Sequence, residues 1–360
     1  MKLYRPFLVE LGPGEIRLIT RIKRQGQQQE LWHQFAYELA PYIDCTTNDS
    51  GLTAVLLEAM RCNEPIWCEA PISSTLLRNL RYYMHAMRSL YPSLNIVEIQ
   101  ADSLPRNRQA SAASERAMGF SCGVDSFCSL LDWHHACRQP EFAVTRLFFA
   151  DAGSHGSGDA AEYLFQERKT KVEAVAAQLG LPVTTVRSNV HLFGDLPFEH
   201  THVARTISCV MPLQGFITTY LVPSTNRYLD LCPDGSTPLA DHLLSSELVE
   251  VVHDGAQYSR IEKCQRIASW KLTYDHLNVC TMETPEARNC SACNKCARAM
   301  LTFDMLGYRE EYRRAFDYSK FKESKRQFVE RMRQLGTASP NFYWREIVEF
   351  AATHGYRLDE

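Results

Sequence analysis

The sequence has no long apolar run and little imbalance of charge. Its longest apolar stretches, such as Phe216–Val222, are far too short to span a bilayer. The net charge of −3 leaves no overall footprint for nucleic-acid binding. Residues 1–6 lack the apolar core of a signal peptide. We therefore expect a globular, cytoplasmic protein with no membrane partner, for which a nucleic-acid partner is disfavoured.

The sequence also lacks the lysine-bearing phosphate loop, Gly-x-x-x-x-Gly-Lys-Ser/Thr. A different loop could bind phosphate in its place. Ser121–Ser126, with the sequence Ser-Cys-Gly-Val-Asp-Ser, follows a short apolar strand and precedes a helical pattern. The small residues let backbone N–H groups turn inward, and the helix beginning near Val124 adds unpaired donors and a positive dipole end. This predicts an anion cradle, for which phosphate is the usual ligand; the alternative is a serine-rich turn.

From Glu115 onward, strand and helix patterns alternate, which is typical of a parallel sheet with covering helices. We predict an α/β fold with a five-stranded parallel sheet and helices on both faces. A small α+β domain, 1–110, precedes it across a polar link, and a helical tail follows. In that first domain, Leu31, Trp32, Phe35 and Leu39 lie at helical spacing. The predicted segments are 1–110, 115–306 and 307–360.

Ligands of open α/β sheets bind beyond the carboxyl ends of the strands, near the switch in strand order. Ser121–Ser126, Asp151–Gly153 and Ser224–Asn226 each follow a predicted strand and should converge there. Asp151 would hold magnesium or the ribose, or else serve as a turn former. Ser224, Thr225 and Asn226 would receive a substrate, or form an ordinary loop.

Two basic residues lie on one face of a later helix, which Ser259 and Glu262 are predicted to cap. Arg260 and Lys263 suit phosphates or a carboxylate near this pocket. The competing explanation is a solvated helix face.

Thirteen cysteines are an odd number, and without a secretory signal they favour reduced thiols over disulfides. Cys280, Cys290, Cys293 and Cys296 have the spacing Cys-x9-Cys-x2-Cys-x2-Cys. Four thiolates close a tetrahedral shell around zinc, which leaves no open position and indicates a structural role. The predicted zinc knuckle spans 280–296, and an iron–sulfur cluster is the alternative.

The loop resembles the SGGxDS loop of the PP-loop ATP pyrophosphatases, with Cys122 where the second residue is normally glycine. Together with the Asp-ended second strand, Val-Pro-Ser-Thr-Asn at 222–226 and the four cysteines, residues 115–306 resemble 7-cyano-7-deazaguanine synthase. The resemblance implies ATP cleavage between the α and β phosphates and adenylation of 7-carboxy-7-deazaguanine. It also implies phosphate binding by the loop and structural zinc on the cysteines.

The resulting site hypothesis has four parts. The proposed ATP contacts are Ser121, Cys122, Gly123, Val124, Asp125, Ser126, Asp151 and Gly153; the catalytic residues are Asp125, Ser126 and Lys263; the substrate contacts are Ser224, Thr225, Asn226 and Arg260; the metal ligands are Cys280, Cys290, Cys293 and Cys296. Magnesium, held by Asp125 or Asp151, would offset charge as pyrophosphate leaves. The expected cofactors are therefore ATP, Mg²⁺ and Zn²⁺.

The N-terminal domain and the tail have no counterpart in the short biosynthetic enzyme. Enlarged synthase-like proteins occur in anti-phage operons, where some are thought to attach a deazaguanine to a protein amine. The amine acceptor here would then be ammonia or a protein. Two rival functions stay open: tRNA sulfur insertion with Cys122 or another thiol as the sulfur carrier, and an inactive nucleotide-binding module. If the loop position of Cys122 needs positive φ, cysteine is strained there.

Overall fold

The protein is described from a computed structural model, which covers residues 1–105, 107–156, 158–282, 288–335 and 342–358. Within these ranges it is a mixed α/β protein built on one large sheet, as the sequence predicts, with a separate parallel pair of short strands. The strands are β1 (Lys2–Leu3), β2 (Phe7–Gly12), β3 (Glu15–Arg24), β4 (Gln27–Ala36), β5 (Ile66–Cys68), β6 (Ile72–Ser73), β7 (Ile99–Gln100), β8 (Ser103–Leu104), β9 (Glu115–Gly119), β10 (Arg146–Asp151), β11 (Val183–Ser188), β12 (Ile217–Pro223) and β13 (Glu250–Asp254).

The helices follow the apolar periodicity of the sequence. They are α1 (Asp49–Cys62), α2 (Ser74–Leu90), α3 (Val124–Leu130), α4 (Asp159–Leu179), α5 (Phe198–Val210), α6 (Arg260–Ala268), α7 (Leu272–His276), α8 (Asn294–Met305), α9 (Phe321–Leu335) and α10 (Phe342–Thr353). None of the helices in the described ranges has the length and apolarity that crossing a membrane requires.

The five strands from β9 to β13 run parallel to one another, in the spatial order β13-β12-β9-β10-β11. The chain starts in the middle at β9, moves outward to β11, and then returns to the other side of β9 with β12. The order therefore reverses between β9 and β12, and this is the topological switch point where open α/β sheets bind ligands. The predicted parallel sheet is confirmed.

Helices cover both faces of this parallel sheet because its strands alternate apolar side chains between two cores. On β10, Phe148 packs into the core formed with α1, α2 and α5. Its neighbours Leu147 and Phe149 pack into the opposite core, which α3, α4, α6, α8 and α9 complete. The tail helix α9 thus buries Phe328 and Met332.

The N-terminal segment extends the same sheet, because β4 pairs antiparallel with the edge strand β11. The helix suggested by the spacing of Leu31, Trp32, Phe35 and Leu39 is wrong: most of it is strand β4. The hairpin turn between β3 and β4 uses Gln25 and Gly26, both with positive φ, as a two-residue turn requires. The division into 1–110, 115–306 and 307–360 stays a prediction. The large sheet and one hydrophobic core both contain residues from either side of the first boundary.

Candidate nucleotide site and metal centre

The Ser121–Ser126 loop is a tight bend between β9 and α3. The Ser126 hydroxyl donates to the carbonyl of Gly123 at 3.1 Å and accepts the N–H of Ser121 at 3.4 Å. These two bonds close the bend from inside, so Ser126 is buried and holds the loop shape. The first turn of α3 begins at Val124, and its N–H groups have no intrahelical acceptors.

Cys122 has the left-handed backbone conformation, with φ of 60°. Its side chain is 1% exposed and packs into the core under α3. Burial raises the pKa of this thiol to about 12, which makes it a poor nucleophile at neutral pH. Its carbonyl accepts the N–H of Asn278 at 2.8 Å, which ties the bend to the segment leading to the cysteines. The sulfur therefore lies away from the ligand side of the loop.

Glycine should be better tolerated than alanine at position 122. A residue with a Cβ costs about 1–2 kcal/mol in this conformation, so Cys122→Gly should be more stable to unfolding than Cys122→Ala by about 1 kcal/mol. Cys128, an equally buried cysteine within α3, gives the matched control, because there glycine should be the worse replacement by about 1 kcal/mol. Urea unfolding of the four variants measures both differences, and the same order at both positions would contradict the assigned backbone.

Asp125 is the centre of an ionic network at the switch point. Its carboxylate accepts Lys263 Nζ at 2.9 Å and Arg260 Nη2 at 2.8 Å. Lys263 is 1% exposed and donates also to the hydroxyl of Ser224 at 3.0 Å and to its carbonyl oxygen. Burial alone would raise the pKa of Asp125, but Arg260 and Lys263 hold it below the ordinary value. The network joins the loop after β9 to the end of β12.

A cavity of about 520 Å³ opens beside this network. Asp125 is the single acidic side chain among its described lining residues, which also include Arg168, Arg260, Lys295 and Arg298. Burial lowers the pKa of Arg168. Burial also lowers the pKa of Arg298, and the nearby charge of Arg260 lowers it further. The cavity is therefore strongly cationic and suits a polyanion. The apolar part of its lining includes Phe149, Phe198, Val279, Phe328, Met332 and Tyr343.

The remaining predicted site residues lie at different depths around this cavity. Thr225 lines it, whereas Ser224 and Asn226 are buried behind the wall. Asp151 holds His155, whose Nδ1 is 3.0 Å from its carboxylate, and it is His155 that faces the cavity. Gly153 has a φ of 98°, and a Cβ there would lie 2.5 Å from His191 Cβ, so the turn requires glycine.

The four cysteine sulfurs form a compact group, all within 4.8 Å of one another. The Cys280 and Cys293 sulfurs lie 3.9 Å apart, and those of Cys290 and Cys296 lie 3.8 Å apart. A tetrahedral zinc site with Zn–S bonds of about 2.3 Å has sulfur–sulfur edges of about 3.8 Å. The arrangement is therefore compatible with bound zinc, as the spacing predicts.

Asn289, next to Cys290, links the two chain segments that carry the cysteines, one ending at Cys280 and the other beginning at Cys290. Its side-chain oxygen accepts the N–H groups of Val279 and Cys280, and its side-chain nitrogen donates to Leu277 and Ala315 carbonyls. The group also adjoins the cavity, since Arg168 donates to the carbonyl of Cys280 at 3.1 Å. Helix α8 begins directly after Cys293 and carries cavity residues. The cysteine group thus supports one wall of the cavity.

Among the cavity residues that sequence reasoning missed are Arg168, Lys295, Arg298 and Tyr343. All four lie on helices outside the strand-end loops, where only the tertiary arrangement brings them to the switch point. The helical periodicity of α8 could have flagged Lys295 and Arg298, because both lie within two turns of the cysteines. A comparison of the chain with family models, curated proteins and solved structures finds no match.

Proposed function

We propose that the protein is a PP-loop ATP pyrophosphatase that adenylates a carboxylate and transfers the acyl group to an amine. The observation that carries this proposal is the position of the cationic cavity, which lies at the strand-order switch and is bounded by the Ser121–Ser126 bend. This is the place where open α/β sheets bind nucleotides. The cysteine group is a further feature that the resemblance to 7-cyano-7-deazaguanine synthase implies.

The charges of the cavity fit a triphosphate. The first turn of α3 offers main-chain donors and a positive dipole end to an anion. Arg260 is nine-tenths buried, and its buried Nε has no hydrogen-bond partner within the described residues. Such a guanidinium gains from a phosphate ligand, because an unpaired buried donor costs about 1–3 kcal/mol. Asp125 contacts Arg260, and Lys263 contacts Asp125, so this network fixes the position of the Arg260 side chain.

Catalysis in this arrangement is positioning and charge stabilisation. The loop and Arg260 would hold the phosphates so that the carboxylate approaches the α-phosphorus in line with the leaving pyrophosphate. A carboxylate oxygen forms the new bond to phosphorus, and the α–β bridging oxygen departs with its electron pair. An amine then attacks the acyl carbon of the adenylate and releases AMP. No side-chain nucleophile is needed, which agrees with the buried state of Cys122 and weakens the sulfur-carrier alternative.

Magnesium would supply further charge neutralisation at the phosphates when bound. Both oxygens of Asp125 already pair with cations, so its chemistry fits the positioning of Arg260 and Lys263 better than metal ligation. Asp151 is the better of the two predicted ligands, since its carboxylate contacts a histidine rather than two cations. Asp125 therefore acts in this proposal through the residues that it holds.

The acid of the proposal is 7-carboxy-7-deazaguanine or a close analogue, as the resemblance implies. The aromatic lining of the cavity, including Phe149, Phe198 and Tyr343, suits a flat heterocycle. The amine is either ammonia, which gives an amide and then a nitrile, or an amine of a protein acceptor. These two outcomes share the adenylation step and differ only in the amine that then attacks the adenylate.

Exchange of labelled pyrophosphate into ATP tests the adenylation step. With 7-carboxy-7-deazaguanine present and no amine added, we expect exchange, because the adenylate can return to ATP. Without the acid, exchange should be absent. ATP binding with no exchange in the presence of the acid would contradict adenylation and favour the inactive nucleotide-binding module.

A further inference from the structure

One wall of the cavity carries positive charge without a matching acid. Asn294, Lys295, Arg298 and Thr302 project from one side of α8 into the cavity. Arg168 adds a third cation where it meets the carbonyl of Cys280. No acidic side chain lines this wall within the part of the chain that the structure describes. We call these four α8 residues the α8 wall.

The opposite wall is different, because a carboxylate there lies between the cations. There, Asp125 pairs with both Arg260 and Lys263. Arg298, in contrast, pairs with no carboxylate within the described residues, and its guanidinium lies against the ring of Tyr343. An anion bound at Arg298 would supply a counter-charge for this guanidinium. The α8 wall therefore offers a position for a second anion, separate from the one at the loop.

Tyr343 of α10 connects the two walls. Its ring lies 4.0 Å from the guanidinium carbon of Arg298 and 5.8 Å from that of Arg260. Its hydroxyl donates to Asn226 Oδ1 at 3.1 Å, which fixes the ring at the end of β12. The aromatic face offsets part of the repulsion between the two guanidinium groups. Anions bound to the two arginines would consequently occupy neighbouring positions beside one aromatic ring.

We infer that the α8 wall is the carboxylate subsite of the acid, with Lys295 and Arg298 as its ligands, while the loop wall takes the triphosphate. This inference rests on the proposed function and assigns the second substrate within it. The physical reason is that a carboxylate and a triphosphate repel each other. A separate pair of cations for the carboxylate lets its oxygen approach the α-phosphorus without competing for Arg260.

Substitution of Arg298 should therefore weaken acid binding selectively. A charge-assisted hydrogen bond lost at a buried site lowers affinity by roughly ten- to a hundredfold. We expect Arg298→Met to weaken binding of 7-carboxy-7-deazaguanine by that factor, and ATP binding by less than about threefold. Arg298→Lys should recover part of the acid affinity, because it keeps the charge but loses the bidentate geometry. Lys295→Met should act in the same direction with a smaller effect.

Isothermal titration with each ligand alone separates the possible outcomes. Arg313→Met, an exposed arginine paired with Glu310, is the matched control and should change neither affinity. Equal melting temperatures for the variants show that each one is folded. An Arg298→Met protein that loses ATP and keeps the acid would overturn the inference, as would a wild-type protein that binds ATP but not the acid. A wild-type protein that binds the acid but not ATP would instead reject the proposed function.

Discussion

Asp125→Asn should destabilise the protein by about 3–5 kcal/mol, the range measured when one partner of a buried ion pair is removed. The reason is that Lys263 is 1% exposed, and Asp125 is its carboxylate partner within the described residues. Arg260 would lose its partner in the same change. The asparagine is nearly isosteric, so packing stays constant and chemical unfolding reports the charge. ATP affinity should fall as well, because Arg260 is no longer held.

A second substitution distinguishes this effect from a general loss of packing. Adding Lys263→Met to Asp125→Asn removes the buried ammonium group that has lost its carboxylate partner, and it should recover part of the lost stability. Glu323→Gln breaks an exposed pair with Arg326 and should leave the stability nearly unchanged. If the double variant were as unstable as the sum of the single ones, the two side chains would not be coupled as described.

The contribution of Asp125 should also depend on pH in a defined direction. Its folded pKa is lowered by Arg260 and Lys263 despite burial, and its unfolded pKa is about 3.9. A depressed carboxylate contributes its stability fully above the unfolded pKa and loses it as pH falls through the folded pKa. The stability difference between wild type and Asp125→Asn should therefore be constant near neutral pH and shrink below about pH 4.

Removal of the metal should produce the second large effect. Structural zinc contributes on the order of 10 kcal/mol to the folding of small zinc domains. Here the cysteine group anchors the start of α8, and α8 carries Lys295 and Arg298. Cys296→Ser, at a position that is 0% exposed, should abolish stoichiometric zinc, lower the melting temperature and weaken ligand binding in the cavity. Elemental analysis, thermal melting and titration calorimetry measure the three effects.

Cys209→Ser is the matched control for the metal experiment. Cys209 is as deeply buried as Cys296 but lies on α5, outside the cysteine group. Its replacement should leave one zinc per chain bound. Iron and acid-labile sulfide in place of zinc would select the iron–sulfur alternative. A wild-type protein that melts at the same temperature before and after chelation would contradict a structural role for any metal.

Local sequence patterns predicted most of the elements that surround the site. The strand, tight bend and helix at Ser121–Ser126 are found where the short apolar run and the helical spacing place them. The capping box of Ser259 and Glu262 begins α6 as predicted. The spacing of the four cysteines anticipates the sulfur group. Each of these signals is contained within a few neighbouring residues, so no knowledge of the tertiary fold was needed.

The features that the sequence did not predict correctly depend on contacts with residues that are far apart along the chain. Strand β4 was interpreted as a helix because its inward side chains lie close to helical spacing. Pairing with β3 and with the distant β11 forms the strand. The catalytic role of Lys263 stays a prediction, and the structure shows its ammonium donating to the carbonyl and hydroxyl of Ser224. Arg298 and Tyr343 were missed because their meeting joins two helices far apart in sequence.

The nucleotide product of the reaction tests the central claim most directly. The protein is incubated with ATP, magnesium, 7-carboxy-7-deazaguanine and ammonia, and the nucleotides are separated by chromatography. The account predicts AMP and pyrophosphate in equal amounts, with formation dependent on the acid. ADP as the only nucleotide product would show cleavage at the wrong phosphate and contradict it.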